Sequence, residues 1–159
     1  MKLCLGLLEN SSSHETRIFT ELEDKLIDLR IAHACYLLQT GNGASASDLA
    51  TYYFSGTIAE FLNRGEAAQK ALDETVSFAR KSRGADLRGP AGEKVAYDAG
   101  EIRVLPPFQN PEKSFVIGFS DRARVEAMPK AEIPTAFYKL PQTFVTSGEP
   151  IIWPKFSEE

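Results

Sequence analysis

Proline divides this chain into two parts. Of its nine prolines, Pro90 alone precedes Leu105; Pro106, Pro107, Pro111, Pro129, Pro134, Pro141, Pro150 and Pro154 all follow it. Proline has no N–H to give a strand ladder and breaks a helix interior. Residues beyond Leu105 are therefore held to short strands, edge strands and turns, while those before it are free to form regular elements. The texture of the sequence agrees. Helical periods run up to about residue 83, a loose stretch with Gly89, Pro90, Gly92 and Gly100 follows, and short β-like runs separated by prolines come after Glu101. A boundary near Gly100 separates an N-terminal α/β domain (1–100, with a flexible connector at its end) from an incomplete β-rich domain (101–159).

Within the first part, Lys2–Leu8 alternates with Leu3, Leu5 and Leu7 on one face, a period of two that predicts a strand. A polar turn at Asn10–Ser13 leads to strands at Arg17–Leu22 and Lys25–Leu29, joined by Glu23-Asp24, so the opening reads as an antiparallel meander. Asp28 is placed to cap a helix carrying Ile31, Ala34, Cys35 and Leu38, with Gly41 as its stop. Ser45 and Asp48 open a helix with Leu49, Tyr52 and Tyr53. Thr57 and Glu60 have capping-box spacing before Phe61 and Leu62, and Asn63 and Glu66 repeat it. The longest helix follows, with a stripe of Ala68, Ala71, Leu72, Val76 and Ala79, basic residues near its C-terminus, and Gly84 as its end. A short strand at Lys94–Tyr97 crosses the connector. In the second part the expected strands are Ile102–Leu105, Ser114–Phe119, Ala136–Lys139, Phe144–Thr146 and Ile151–Trp153.

Composition limits the function classes. With 159 residues, 43% hydrophobic and 25% charged, the chain has a globular balance. A net charge of −4 gives no basic surface for phosphate, so nucleic acid is not an expected partner. No apolar run reaches the ~18 residues of a membrane span, and the start lacks a secretory pattern, so a soluble, cytoplasmic chain is expected. Cys4 and Cys35 read as buried, reduced thiols. His14, in a polar turn, and His33, opposite the apolar stripe of its helix, read as exposed and non-catalytic. Five short strands in the last third cannot cover both faces of a sheet. Phe108, Phe115, Phe119, Phe137, Phe144, Ile151 and Trp153 should therefore leave an apolar surface that pairs with a second copy or a partner chain, with Phe144 and Trp153 at its centre.

Several spaced motifs carry a resemblance. Leu105-Pro106-Pro107 is followed by Pro111-Glu112-Lys113 and Gly118-Phe119-Ser120-Asp121. Pro134-Thr135-Ala136-Phe137-Tyr138-Lys139 and Gly148-Glu149-Pro150-Ile151-Ile152-Trp153-Pro154 come next. In this order they resemble the start of the catalytic domain of the fumarylacetoacetate hydrolase family. Leu26-Ile27-Asp28-Leu29, Glu60-Phe61-Leu62 and the Glu66–Phe78 helix resemble the family's N-terminal domain. The resemblance implies an α+β chain, with an N-terminal antiparallel β-meander and helices followed by the first strands of a β-roll. It also implies chemistry on β-diketo or 2-keto acids: C–C hydrolysis, decarboxylation or hydration with Mg²⁺ or a similar hard cation, which stabilises enolate charge inside a carboxylate cage.

The sequence departs from the family pattern at the site. Ser120-Asp121 stand where Asn-Tyr is usual, Arg124 where the catalytic His is expected, and Ala127 at the dyad's Glu position, with Glu126 one place early. An arginine, with a pKa above ~12, is no base at neutral pH, but it can clamp a carboxylate. The resemblance thus offers Arg124 and Glu126 as catalytic candidates, and Ser120, Asp121 and Lys139 as substrate-binding ones. A solvated helix face is the plainer reading of Asp121, Arg122, Arg124 and Glu126 together. No metal ligand is assigned, because the family's ligands would follow Pro154; Glu158 and Glu159, adjacent on a strand, would point to opposite faces. The chain alone is expected to be inactive. It reads as part of such an enzyme, or as a degenerate member serving as a non-catalytic scaffold or regulatory subunit for a partner chain.

Overall fold

The structure, a computed structural model, describes residues 2–9, 14–82, 86–118, 120–127, 135–146, 148–153 and 155. The expected turn at Asn10–Ser13, Gly84, Phe119, Pro154, Glu158 and Glu159 lie outside the described residues. The chain is mixed α+β and divides into two compact units, Met1–Phe108 and Gln109–Glu159.

The first unit is built on a five-stranded antiparallel sheet. Its strands are β1 (Leu3–Leu8), β2 (Arg17–Leu22), β3 (Lys25–Asp28), β4 (Ala96–Tyr97) and β5 (Ile102–Leu105), in the order β4-β3-β2-β1-β5. The meander forms as expected. Glu23 and Asp24 take φ of 49° and 63°, both left-handed, as a tight two-residue hairpin turn requires. Ile102–Leu105 was expected to open the second domain. It instead pairs antiparallel with β1, Leu5 opposite Leu105 and Leu8 opposite Ile102, and closes the first sheet. The break in the chain therefore comes after Phe108 rather than near Gly100.

Four α-helices among the described residues accompany the sheet: α1 (Leu29–Gln39), α2 (Ala46–Phe54), α3 (Ile58–Asn63) and α4 (Gly65–Lys81). Leu5 and Ile18 on one sheet face join Leu29, Phe54, Phe61, Ala68 and Leu72 in the main core. Leu22, Ile27 and Ala96 extend that layer with Ile31, Ala32 and Ala79. Phe19, Tyr97 and Ile102 form a smaller cluster on the opposite face, with Cys4, Leu8 and Leu26 packed against it. Gly6 makes that cluster possible. A Cβ there would lie 2.5 Å from Ile102 Cγ2 and 3.3 Å from the Phe19 ring.

The caps show what sequence spacing does and does not decide. Asp28 caps α1, its carboxylate accepting from the Ile31 N–H at 3.1 Å. Thr57 and Glu60 make both bonds of the capping box on α3. Asn63 and Glu66 do not form one. Asn63 is still inside α3, so Arg64 takes the N-cap position of α4 without a side-chain bond, and Gly65 turns the chain at φ 64°. The α4 stripe is buried as expected, with Thr75 added to it.

Two apolar faces differ from expectation. In α2, Ala46, Ala50 and Phe54 are buried, and Tyr52 points to solvent. In α1, Leu38 is exposed whereas His33 and Leu37 are buried. Because α1 packs against both α2 and α4, its buried arc is wider than a single stripe.

The second unit contains an antiparallel pair, β6 (Phe115–Gly118) with β7 (Thr135–Tyr138), and a short helix α5 (Arg122–Ala127) between them in sequence. Phe115 faces Tyr138 and Val116 faces Phe137, so both faces of the pair carry large apolar groups. The strands expected at Phe144–Thr146 and Ile151–Trp153 do not form. Pro141–Thr143 is instead one turn of 3-10 helix, and Ile151–Trp153 has no ladder partner among the described residues.

Candidate functional site

The candidates taken from the family resemblance lie on α5 and the β6–β7 pair. Asp121 uses one carboxylate oxygen to accept from the Ala123 N–H at 2.8 Å, at the start of α5. Arg122 Nε donates to Glu126 Oε1 at 3.0 Å, one turn along the same helix, and both side chains are exposed. Glu126 is thus held in a solvated ion pair, and Ser120 and Asp121 are exposed as well. Arg124 belongs to the same short helix, but its side chain lies outside the described residues.

Lys139 is exposed just past β7, with its N–H bonded to the Ser114 carbonyl at 2.9 Å. Gly118, which leads toward Ser120, pairs with Thr135 at the other end of the hairpin. At ~3.3 Å per strand residue, the length of β6 puts about 13 Å between that end and Lys139. The hairpin does not bring Lys139 together with the residue that introduces Ser120.

Burial, charge and a cavity coincide elsewhere, in the first unit. Glu15 and Arg17 are two apart on the extended chain entering β2, and side chains two apart share a face. Arg17 Nη1 donates to Asp28 Oδ2 at 3.0 Å, and Asp28 is 0% exposed. Glu15 lies 3.9 Å from Arg17 Nε and makes a two-pronged pair with Arg30, at 2.7 and 3.1 Å. Burial pushes the Asp28 carboxyl above its ordinary value, against the opposing pull of the Ile31 N–H and the Arg17 guanidinium. A cavity of about 400 Å³ adjoins this corner, between α1, α2 and the 88–94 segment.

From the sequence Asp28 reads only as a cap, and Glu15, Arg17 and Arg30 carry no assigned role. The Glu-x-Arg spacing ahead of a strand was the available signal. The long-range partner Arg30 had none.

Other reactive side chains have structural surroundings. His33 was expected to be exposed and is 2% exposed. Thr75 Oγ1 donates to the Ala71 carbonyl at 2.6 Å, so its proton is committed, and His33 Nδ1–H donates to Thr75 Oγ1 at 2.8 Å. Burial among Tyr36, Tyr53 and Phe54 lowers the His33 pKa to about 4. His14 is exposed, as expected.

Cys35 is buried and donates to the Arg88 carbonyl at 3.2 Å, and Cys4 is half-buried. Burial raises both thiol pKa values, which leaves them protonated and poorly nucleophilic. Among the described residues, no group of three or more His, Cys, Asp and Glu side chains is placed to hold a metal ion. The described residues do not supply the carboxylate cage that Mg²⁺ chemistry of the fumarylacetoacetate hydrolase kind would use. No helix among them is long and apolar enough to cross a membrane.

No protein-family model matches the chain, and no curated protein matches it.

Proposed function

We propose that this chain is a part, or a degenerate member, of a fumarylacetoacetate hydrolase-like protein, in which the second unit docks onto further β structure. The observation that carries this reading is the double-sided apolar hairpin. Phe115 and Ile117 on one face, and Val116 and Phe137 on the other, are each about half exposed. A strand pair apolar on both faces has the pattern of strands from the interior of a layered sheet. Ile151, Ile152 and Trp153, at 84%, 87% and 62% exposed, are further exposed apolar side chains of the same unit. Burying one Phe or Trp is worth ~1.5–3 kcal/mol, which favours a covered state in a second copy or a partner chain that continues the β-roll. The class of chemistry, hydrolysis, decarboxylation or hydration of β-diketo or 2-keto acids with a divalent cation, rests on the spaced motifs between Leu105 and Pro154.

A non-catalytic scaffold is the second reading, and one observation favours it. Glu126, the only acidic candidate for a relocated base, is paired with Arg122 in solvent. Its side chain is open to water.

Two measurements separate these readings. Light scattering at low micromolar concentration should show an assembly larger than 17.6 kDa, and Trp153→Ala should weaken it. A monomer in which Trp153 fluorescence is that of an indole buried within the chain would overturn the docking role. Acylpyruvate cleavage is expected to be absent from the chain alone, even with Mg²⁺. Cleavage that chelator abolishes would instead place a working site in these residues and remove the scaffold reading.

A further inference from the structure

Arg17 and Arg30 line the cavity, and the Arg30 guanidinium is held by a carboxylate from outside that lining. Glu15 meets the Arg30 guanidinium through both oxygens, at 2.7 and 3.1 Å, with Arg17 3.9 Å away. A planar guanidinium engaged by two oxygens is the fork geometry that recognises carboxylates. From this arrangement we infer that the cavity is a binding site for a small carboxylate, and that Glu15 is the internal carboxylate it displaces.

The two arginines are held differently, which makes the exchange feasible. Arg17 is anchored to the fully buried Asp28 and stays in place. The Glu15 side chain is 43% exposed, so its carboxylate can pass to water when it releases Arg30. A ligand carboxylate would take over the pairing of Arg30, and the released Glu15 carboxylate would pass to solvent.

The rest of the cavity fits a small polar molecule. Its volume of about 400 Å³ lies in the range of small-ligand sites. Ala34 and Ala50 leave space on α1 and α2, and Ser47 and Thr51 supply hydroxyl groups. Glu93 on the 88–94 segment adds an acceptor, already used once by the Ala91 N–H at 2.8 Å. An acceptor beside an arginine fork selects a carboxylate that also carries an amino or hydroxyl donor. This site belongs wholly to the first unit and does not depend on the function proposed for the second.

The experiment uses the full chain with succinate, L-malate and L-glutamate as probes, and succinamide as the uncharged control. Binding is followed by calorimetry and by thermal shift. At least one acid should bind with a dissociation constant of ~10 mM or tighter, while succinamide does not. Glu15→Gln, which removes the competing charge, should tighten the same acid about fivefold, a gain of ~1 kcal/mol. Arg30→Ala should abolish binding. Ser47→Trp, at an exposed position on α2, should abolish it by filling the cavity with Arg30 intact, and it decides the matter if Arg30→Ala does not fold. The inference is overturned if none of the acids binds either wild type or Glu15→Gln. It is equally overturned if Glu15→Gln weakens binding, or if binding survives Ser47→Trp.

Discussion

Phe19 and Phe137 occupy the same kind of place, a strand of an antiparallel pair, and meet opposite surroundings. Phe19 is 0% exposed, packed edge-on to Tyr97 at 6.0 Å and resting across Gly6. Phe137 faces Val116 across the β6–β7 pair and is 51% exposed. Strand propensity is satisfied in both. The difference is that the first unit supplies a second layer, with α1 to α4 on one face of its sheet and the Phe19 cluster on the other. The second unit has two strands, one α-helix of six residues and one 3-10 turn among its described residues. Local pairing is therefore separable from core formation, and a hairpin with the right alternation still needs something to bury against.

Breaking the first unit's core should have the largest effect. Leu72→Asp puts a carboxylate into the main core, in the cluster that also holds Leu5, Ile18 and Phe61. An unpaired buried charge costs several kcal/mol, a large share of the ~5–15 that hold a domain together, so circular dichroism should show an unfolded first unit. An unchanged melting curve would mean that α4 does not pack this way.

Acid should act next, through His33. Its folded pKa is lowered from 6.5 to about 4, so between these values the unfolded chain binds more protons than the folded one. The His33 contribution is complete above pH 6.5, falls as pH drops through that window, and levels off below about 4. The loss is of the order of 3 kcal/mol. Asp28, whose carboxyl is raised, slopes the other way as pH rises above its ordinary value, so the His33 component is isolated by difference. Denaturant unfolding at steps across the window should show stability falling toward acid, and His33→Gln should flatten that slope.

Smaller effects sharpen the comparison. Thr57→Ala removes the capping-box hydroxyl of α3 and should cost about 1 kcal/mol by thermal melting. Phe137→Ala, a far larger truncation, should change the melting of the isolated chain by only ~0.5 kcal/mol, because the ring is half exposed. Its visible effect should be on association, read by light scattering. A Phe137→Ala loss of several kcal/mol in dilute, monomeric protein would show that the second unit has a core of its own.

Much of the first unit was legible because its signals are local. The alternation of Leu3, Leu5 and Leu7, the Asp28 cap, the Thr57/Glu60 box and the α4 stripe each involve residues within a few turns or one strand, and each is found in the structure. Errors came where one local signal was overruled by a neighbour. Asn63 could not cap α4 because α3 had already claimed its backbone. His33 looked solvent-facing on a helical wheel, yet α2 and α4 enclose it, and Thr75, 42 residues away, supplies its partner. Residues of the arginine–carboxylate corner were equally hidden, since Arg30 and Glu15 meet only when α1 is laid beside the start of β2.

The sequence alone determined where strands, helices and their caps could start, and that prolines after Leu105 would keep the later strands short. These follow from backbone geometry and side-chain periodicity, which act over a few residues. The tertiary structure alone decided that Ile102–Leu105 closes the first sheet, that Asp28 is both a cap and the anchor of Arg17, and that a cavity lies beside Arg30. Each of these depends on which surfaces meet across long sequence separations. Burial then sets the outcome, because the same Arg or His behaves differently once neighbouring elements take water away from it.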